Sequence, residues 1–271
     1  MNNKKYLILV TNDDGIQANG IRLLIETVKS LGKVVVVAPD SPQSAKSHSI
    51  STINPVAIHK ISESENYLEY SCSGTPVDCV KIAIHEILER KPDLIVSGIN
   101  HGTNSSVSVL YSGTMAAAIE GSLNGISSIG FSVNNYQHDA DFTPALPFVK
   151  EISEFVLKTG LEYGISLNVN FPDVTTQTIN GLKVCRACEG TWEEKFVNAN
   201  EPHGRHAYWL TGKFRNMEPD ATDTDEYFIN QGFASIVPIK ADFNAYNQIQ
   251  GLKGLETNPT KNSINYNKPN S

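Results

Sequence analysis

The sequence predicts an α/β fold built on a mainly parallel sheet with helices on both faces. Three observations lead there. Short apolar runs rich in β-branched residues, YLILV at 6–10, VVVVA at 34–38 and DLIVSG at 93–98, have the unbroken hydrophobicity of strands buried on both sides. Segments of helical spacing separate them. This alternation continues to about residue 172 and then gives way to a region richer in aromatic and polar residues. Alternating strands and helices specify a parallel sheet covered on both faces.

Each element follows from local pattern. After YLILV, Ile21, Leu24, Ile25 and Val28 share one face of a helix over 20–31, with Gly32 as its stop. The density of valine at 34–38 favours a strand. A polar loop, PDSPQSAKSHS, follows. Alternating segments at 53–61 and 67–72 predict a hairpin. TPVDCVKIAIHEILER at 75–90 reads as a helix with Thr75 as N-cap, Pro76 in the first position and Asp78 in the third. DLIVSG is the third buried strand. A Gly/Ser-rich loop then leads to an alanine-rich helix, TMAAAIEGSLNG, beginning near Ser112–Thr114. SSIGFSV at 127–133 predicts a strand, 144–158 a helix and SLNVNFP at 166–172 another strand. Beyond these, FASIVPI (233–239) is the clearest strand of an appended β-rich arm that could pair with another subunit, and GLKVC also looks like a strand. The chain of 271 residues is read as one domain over 1–258, with a core to about 175, an extension over about 176–258 and a disordered polar tail at 259–271.

Composition narrows the function. A net charge of −7 argues against a nucleic-acid polymer or a membrane surface as partner, since both demand clustered Lys and Arg. It leaves room for a small anionic substrate held locally. Lys4 and Lys5 precede an apolar run too short for a signal core of roughly 7–15 residues. No segment approaches the roughly 20 apolar residues of a membrane span, so a cytoplasmic protein is expected. Of the four cysteines, Cys185 and Cys188 have C-x-x-C spacing but no second ligand pair. All four are read as reduced thiols.

Ligands of open parallel sheets bind beyond the carboxyl ends of the strands, where the strand order reverses. The loops after the first three buried strands, TNDDG, PDSPQSAKSHS and GINHGTNSS, are all rich in small oxygen-bearing residues. Asp13 and Asp14 are adjacent, and Gly15 permits the turn that could aim both at one point. Two carboxylates about 4 Å apart repel by roughly 4 kcal/mol at an effective dielectric of 20, and a dication between them reverses that sign. Asp, Ser and Asn oxygens are hard ligands suited to Mg²⁺, Mn²⁺ or Ca²⁺ rather than zinc. The alternative is that one aspartate caps the following helix. Ser112, Gly113 and Thr114 open the alanine-rich helix, whose N–H groups could bind phosphate or be capped by Ser112. Asn12, His48 and His101 are candidates to support ligands or move protons. His203 and His206 receive no role.

Five segments taken together, ILVTNDDGIQANGI, SPQSAKSHSIST, SGTPVDCVKIA, LIVSGINHGTN and YSGTMAAAIEG, resemble the SurE family of metal-dependent nucleotidases, in order from residue 7 to about 134. SLNVNFP and YFINQGFASIVPI are also similar to it. CRAC and HGRHAYW stand outside the resemblance. It implies a three-layer Rossmann-like core with a C-terminal extension exchanged between subunits, giving a homodimer or tetramer. It implies removal of phosphate from nucleoside monophosphates by a 5′-nucleotidase, with 3′-monophosphates left open, using one divalent cation, Mg²⁺ or Mn²⁺. By motif position, Asp13, Asp14, Ser44 and Asn100 would ligate the cation. Asp13, Asp14 and Asn100 would be catalytic, and Asn104, Ser112, Gly113 and Thr114 would surround the phosphate. Two rival readings are an aspartyl-phosphate-type phosphatase, which adjacent aspartates suit poorly, and a nucleotide-binding module without hydrolysis. The latter lacks the G-x-G-x-x-G spacing of a dinucleotide site.

Overall fold

A computed structural model describes residues 6–137, 139–199, 204 and 206–256. The tail 259–271 and His203 therefore lie outside the described residues. In chain order the elements are β1 (Tyr6–Thr11), α1 (Asn19–Val28), β2 (Gly32–Pro39), β3 (Ile58–Ser64), β4 (Tyr67–Cys72), α2 (Pro76–Ile82), β5 (Leu94–His101), α3 (Gly113–Leu123), β6 (Ser128–Val133), α4 (Leu146–Thr159), β7 (Ile165–Phe171), β8 (Leu182–Val184), β9 (Gly190–Asn198), β10 (Tyr208–Asn216), α5 (Asp225–Asn230), β11 (Ala234–Lys240) and α6 (Tyr246–Leu252). The second of two compact units begins at Ala241 and holds α6.

Nine strands form one sheet in the order β3-β4-β2-β1-β5-β6-β7-β11-β8. Strands β4, β2, β1, β5, β6 and β7 run parallel, while β3 and β11 pair antiparallel with β4 and β7. Because β1 lies between β2 and β5, the chain leaves β1 toward one side and returns on the other. The strand order therefore reverses beside β1. Alternation along the strands builds two cores. Ile8, Val10, Val34 and Leu94 pack with Ile21 and Leu24 of α1 and Val149 of α4. Leu7, Leu9, Val35 and Ile95 pack on the other face with Val80 of α2 and Ala117 of α3. Helix α3 is buried on nearly every side, as its composition requires.

Three expectations change. Helix α1 ends at Val28, and Gly32 opens β2 instead of stopping the helix, because a turn from Val28 to Leu31 already closes it. Residues 53–57 are not strand; the hairpin begins at Ile58, beyond Pro55, which has no N–H to donate. The 75–90 helix stops at Ile87, its last turn in π geometry, where Leu88 becomes extended. The β-rich region after residue 175 does not stand wholly apart. FASIVPI enters the central sheet through β7 and brings β8 with it, leaving β9 and β10 as a separate two-stranded sheet. Its continuous burial from Ala234 to Val237 matches that of the other core strands.

The start of α2 is a reciprocal cap: Thr75 Oγ1 accepts from Asp78 N–H, and the Asp78 carboxylate accepts from Thr75 N–H at 2.9 Å. Thr75→Ala is expected to lower the unfolding free energy by about 1 kcal/mol or somewhat more in urea denaturation.

Candidate functional site

The turn after β1 sets the site. Gly15 adopts φ +98°, and Asn12 Nδ2 donates to its carbonyl at 2.9 Å, closing the turn. Neither aspartate caps α1, whose N-cap is Ala18 with no side-chain bond. Asp13 instead meets α3, a hundred residues later. It is 4% exposed, and its Oδ1 accepts from Thr114 Oγ1 at 2.5 Å, with the Thr114 N–H also bonding the carboxyl. A Cβ on Gly113 would lie 2.7 Å from that of Asp13, so only glycine lets the helix start approach this closely. Asp14 is less buried and accepts from the backbone N–H of His101.

The other candidates arrive from separate loops. Ser44 follows β2, and its neighbour Gln43 donates its N–H to the Asp13 carbonyl at 2.7 Å. Asn100 is the penultimate residue of β5, just past a register shift against β6. Both its amide hydrogens are engaged, by the carbonyls of His101 at 3.0 Å and Gly102 at 2.8 Å, which leaves its side-chain oxygen for another partner. Ser112 caps α3 by accepting from Met115 N–H. Asp13, Ser44, Asn100, Asn104 and Ser112 line one cavity of about 480 Å³, at the carboxyl ends of β1 and β5. Asp14, Gly113 and Thr114 are outside that lining; Gly113 and Thr114 support Asp13 from behind. His101 is in the wall and meets Phe142 edge-on, with ring centroids 4.8 Å apart. His48 is not in the wall; it bonds Glu120. His206 is exposed, just ahead of β10.

Sequence reasoning missed two groups. Asn168 and Asn170 of β7 are fully buried and hold the Asn104 loop: Asn170 Oδ1 accepts from Asn104 N–H at 2.7 Å, and Asn168 Nδ2 donates to the Asn104 carbonyl at 2.8 Å. Their signal was two asparagines at i and i+2, alternating with apolar residues in a buried strand. The second group is Tyr111, Tyr136, Trp192 and Leu210, which line the same cavity as the oxygens. Trp192 and Leu210 come from the β9–β10 hairpin, which local patterning could not place there.

Burial first, and the neighbouring Asp14 second, push the Asp13 carboxyl up to about 6. Burial also raises Asp14. Among the described residues no three His, Cys, Asp or Glu cluster as metal ligands. The donors here are two carboxylates, a hydroxyl and an amide oxygen. Such an all-oxygen set, with a buried carboxylate only partly compensated by Thr114, fits a hard dication. The C-x-x-C segment has a structural part. Cys188 N–H donates to Asp225 Oδ1, and Ser106 donates its N–H to Asp225 Oδ2 and its hydroxyl to the Cys188 carbonyl. Burial pushes the Cys185 thiol up to about 12 and Cys188 to about 11, so both stay protonated near neutral pH.

Two outcomes follow. Asp13 is about 6 when folded against 3.8 as a free carboxyl, so its ionisation opposes folding above pH 6 and has no such effect below about 4, where both states are protonated. In chelator, Asp13→Asn is expected to be more stable than the parent at pH 7.5, by as much as about 3 kcal/mol, with the gap closing by pH 4 in urea denaturation. Gly113→Ala is expected to push Asp13 aside and to lower the melting temperature by several degrees in calorimetry, because overpacking a buried contact costs about 1–3 kcal/mol, more than alanine gains over glycine in a helix.

Comparison with known proteins places the chain in a family. The family described as Survival protein SurE matches residues 8–194. A protein named 5′-nucleotidase SurE from Christiangramia forsetii is 53% identical over 260 residues, covering 95% of this chain and 100% of that one. Another of that name from Phocaeicola vulgatus is 46% identical, covering 93% and 98%. The crystal structure of the SurE protein from Aquifex aeolicus superposes with a TM-score of 0.79 at 35% identity, covering 93% of this chain and 100% of that one. With its fold and nearly its whole length matched in this way, the chain belongs to the SurE family.

Proposed function

We propose that this protein removes phosphate from nucleoside 5′-monophosphates, with a divalent cation, Mg²⁺ or Mn²⁺, held by Asp13, Asp14, Ser44 and Asn100. The observation that carries this reading is the cavity itself, where oxygens from three strand-end loops and aromatic side chains together line a space of about 480 Å³. The relatives' name, 5′-nucleotidase, supports it.

A dication bound there supplies charge against the phosphoryl oxygens and lowers the pKa of a water. The residues do the rest. Thr114 holds the Asp13 carboxylate in one orientation through hydroxyl and N–H. The two bonds from Asn100 Nδ2 turn its oxygen away from the backbone. Asn104 spends one amide hydrogen on Ser132 Oγ at 2.7 Å and keeps the second for a phosphoryl oxygen. The Ser112 oxygen accepts from Met115, so its hydroxyl hydrogen is available to donate. Gly113 and Thr114 act through Asp13. Tyr111, Tyr136 and Trp192 offer flat apolar faces to the nucleoside.

A covalent aspartyl-phosphate route has no support: its two carboxylates have one residue between them, whereas Asp13 and Asp14 are adjacent. We place the enzyme in the cytoplasm, which suits its free cysteines, and infer a homodimer or tetramer formed through the C-terminal extension. The exposed Phe196, Val197, Tyr208 and Trp209 of the β9–β10 hairpin are the apolar surface that supports such assembly. Among the described residues no helix is long and apolar enough to cross a membrane.

The test is phosphate release from a panel of nucleoside monophosphates, each with Mg²⁺ or Mn²⁺. Turnover is expected with either cation and none in chelator. Asp13→Asn should fall at least about 100-fold, and full turnover by that variant would end the ligand assignment. Trp192→Ala should raise KM severalfold while changing kcat little.

A further inference from the structure

The loop bearing Ser44 is held in an unusual way. From residue 40 to 51 every position is exposed except Gln43 and Ser47, which are half-buried, so almost no apolar burial fixes its path. Ala45 and Ser47 adopt φ +59° and +54°, a left-handed conformation that side-chain-bearing residues resist. An exposed arch of this shape persists only where hydrogen bonds over-determine it.

One of those bonds, from His48, goes to a buried charge. His48 Nε2 lies 3.0 Å from Glu120 Oε2, on a carboxylate whose side chain is 6% exposed. Lys81 of α2 donates to Glu120 Oε1 at 2.7 Å, and Asn124 Nδ2 donates to the same oxygen at 3.0 Å. With Oε1 taken twice, the carboxylate is fixed so that Oε2 faces the loop. Glu120 is held down to about 2 by His48 first, and by Lys81, against burial. An ionised carboxylate only accepts, so His48 carries its proton on Nε2.

Glu120 and Thr114 stand on the same helix. The first turn of α3 holds Asp13, and its second holds, through His48, the loop of Ser44. We propose that His48 is a positioning residue: by its bond to Glu120 it fixes Ser44 at a set place relative to Asp13, with α3 as the common rigid frame and Lys81 locking the acceptor. This rests on the reading of Ser44 as a cation ligand. It assigns a task to the His48–Glu120–Lys81 cluster, which lies outside the cavity and has no part in the mechanism above. Groups that orient ligands from behind typically change metal affinity by about 10- to 100-fold when removed.

The test is Mn²⁺ binding to the full chain without substrate, read by electron paramagnetic resonance, for Ser44→Ala, His48→Ala, His48→Gln and the double variant S44A/H48A. Circular dichroism and melting temperature confirm folding, and exposed His48 tolerates replacement better than buried Glu120. Ser44→Ala and His48→Ala are each expected to weaken Mn²⁺ about tenfold, and the double variant to be no weaker than Ser44→Ala alone, since both changes remove one ligand. His48→Gln, whose amide nitrogen reaches where Nε2 stood, should bind nearly as the parent does. Normal binding by His48→Ala while Ser44→Ala is weakened would overturn the positioning role and leave the proposed function standing. Multiplying losses in the double variant would overturn it too, because His48 would then act independently of Ser44. Unchanged binding by Ser44→Ala, with Asp13→Asn deficient, would remove Ser44 from the ligand set and the positioning role with it.

Discussion

The structure turns on one costly placement, the burial of the Asp13 carboxylate beside Asp14. A carboxylate out of water must be compensated by donors or by positive charge. Here the donors come from the first turn of α3, where the Thr114 hydroxyl and N–H converge and the helix N-terminus contributes partial positive charge. That compensation is incomplete, since the carboxyl remains raised to about 6. The residual deficit is of the kind a dication removes, because a cation inverts the local charge balance. The closeness of Gly113, the turn at Gly15 and the reversal of strand order at β1 all serve to bring this carboxylate and that helix together.

The loops around Asp13 are fixed by buried polar groups rather than by apolar packing. The Asn104 loop rests on Asn168 and Asn170, and the Ser105–Ser106 turn rests on Asp225 and Glu226 of α5. Hydrogen bonds suit this task because they are directional. A loop seated on apolar residues can slide by a fraction of an ångström at little expense, whereas one seated on amide and carboxylate partners loses a bond. Site geometry therefore depends on residues far along the chain: β7 and α5 are sequence-distant from the loop they hold, yet they set where Asn104 of the cavity wall stands.

Much of this was legible from residues alone, for identifiable reasons. Buried parallel strands announce themselves as valine- and isoleucine-rich runs, and the Thr75–Asp78 cap is a local sequence pattern, so the core and α2 could be read directly. The adjacent aspartates marked a site because they break the rule that like charges separate. Supports of that site were harder to see. Asn168 and Asn170 look ordinary until β7 is known to lie against the Asn104 loop. Nothing local says that the β9–β10 hairpin brings Trp192 and Leu210 to the cavity. The destination of Asp13 was hidden for the same reason: one short segment suggests a cap for the next helix, whereas its donors lie on a helix a hundred residues on. Local pattern encodes elements, and contacts made only after folding escape it.

Charge gives the proposed function a further consequence. Among the described residues the cavity lining contains no Lys or Arg, while it contains Asp13 and Glu194. A phosphate monoester carries close to two negative charges at neutral pH, so it would enter against repulsion, on a protein already at net −7. Asn104 and Ser112 offer neutral donors, each worth far less than an ion pair in such a place. Under the proposed function the dication therefore has to act before chemistry begins, by making the cavity acceptable to its substrate at all. The same logic explains why the ligand loops must be rigid: a cation site that loosened would lose substrate affinity together with catalytic power, since one positive charge serves both.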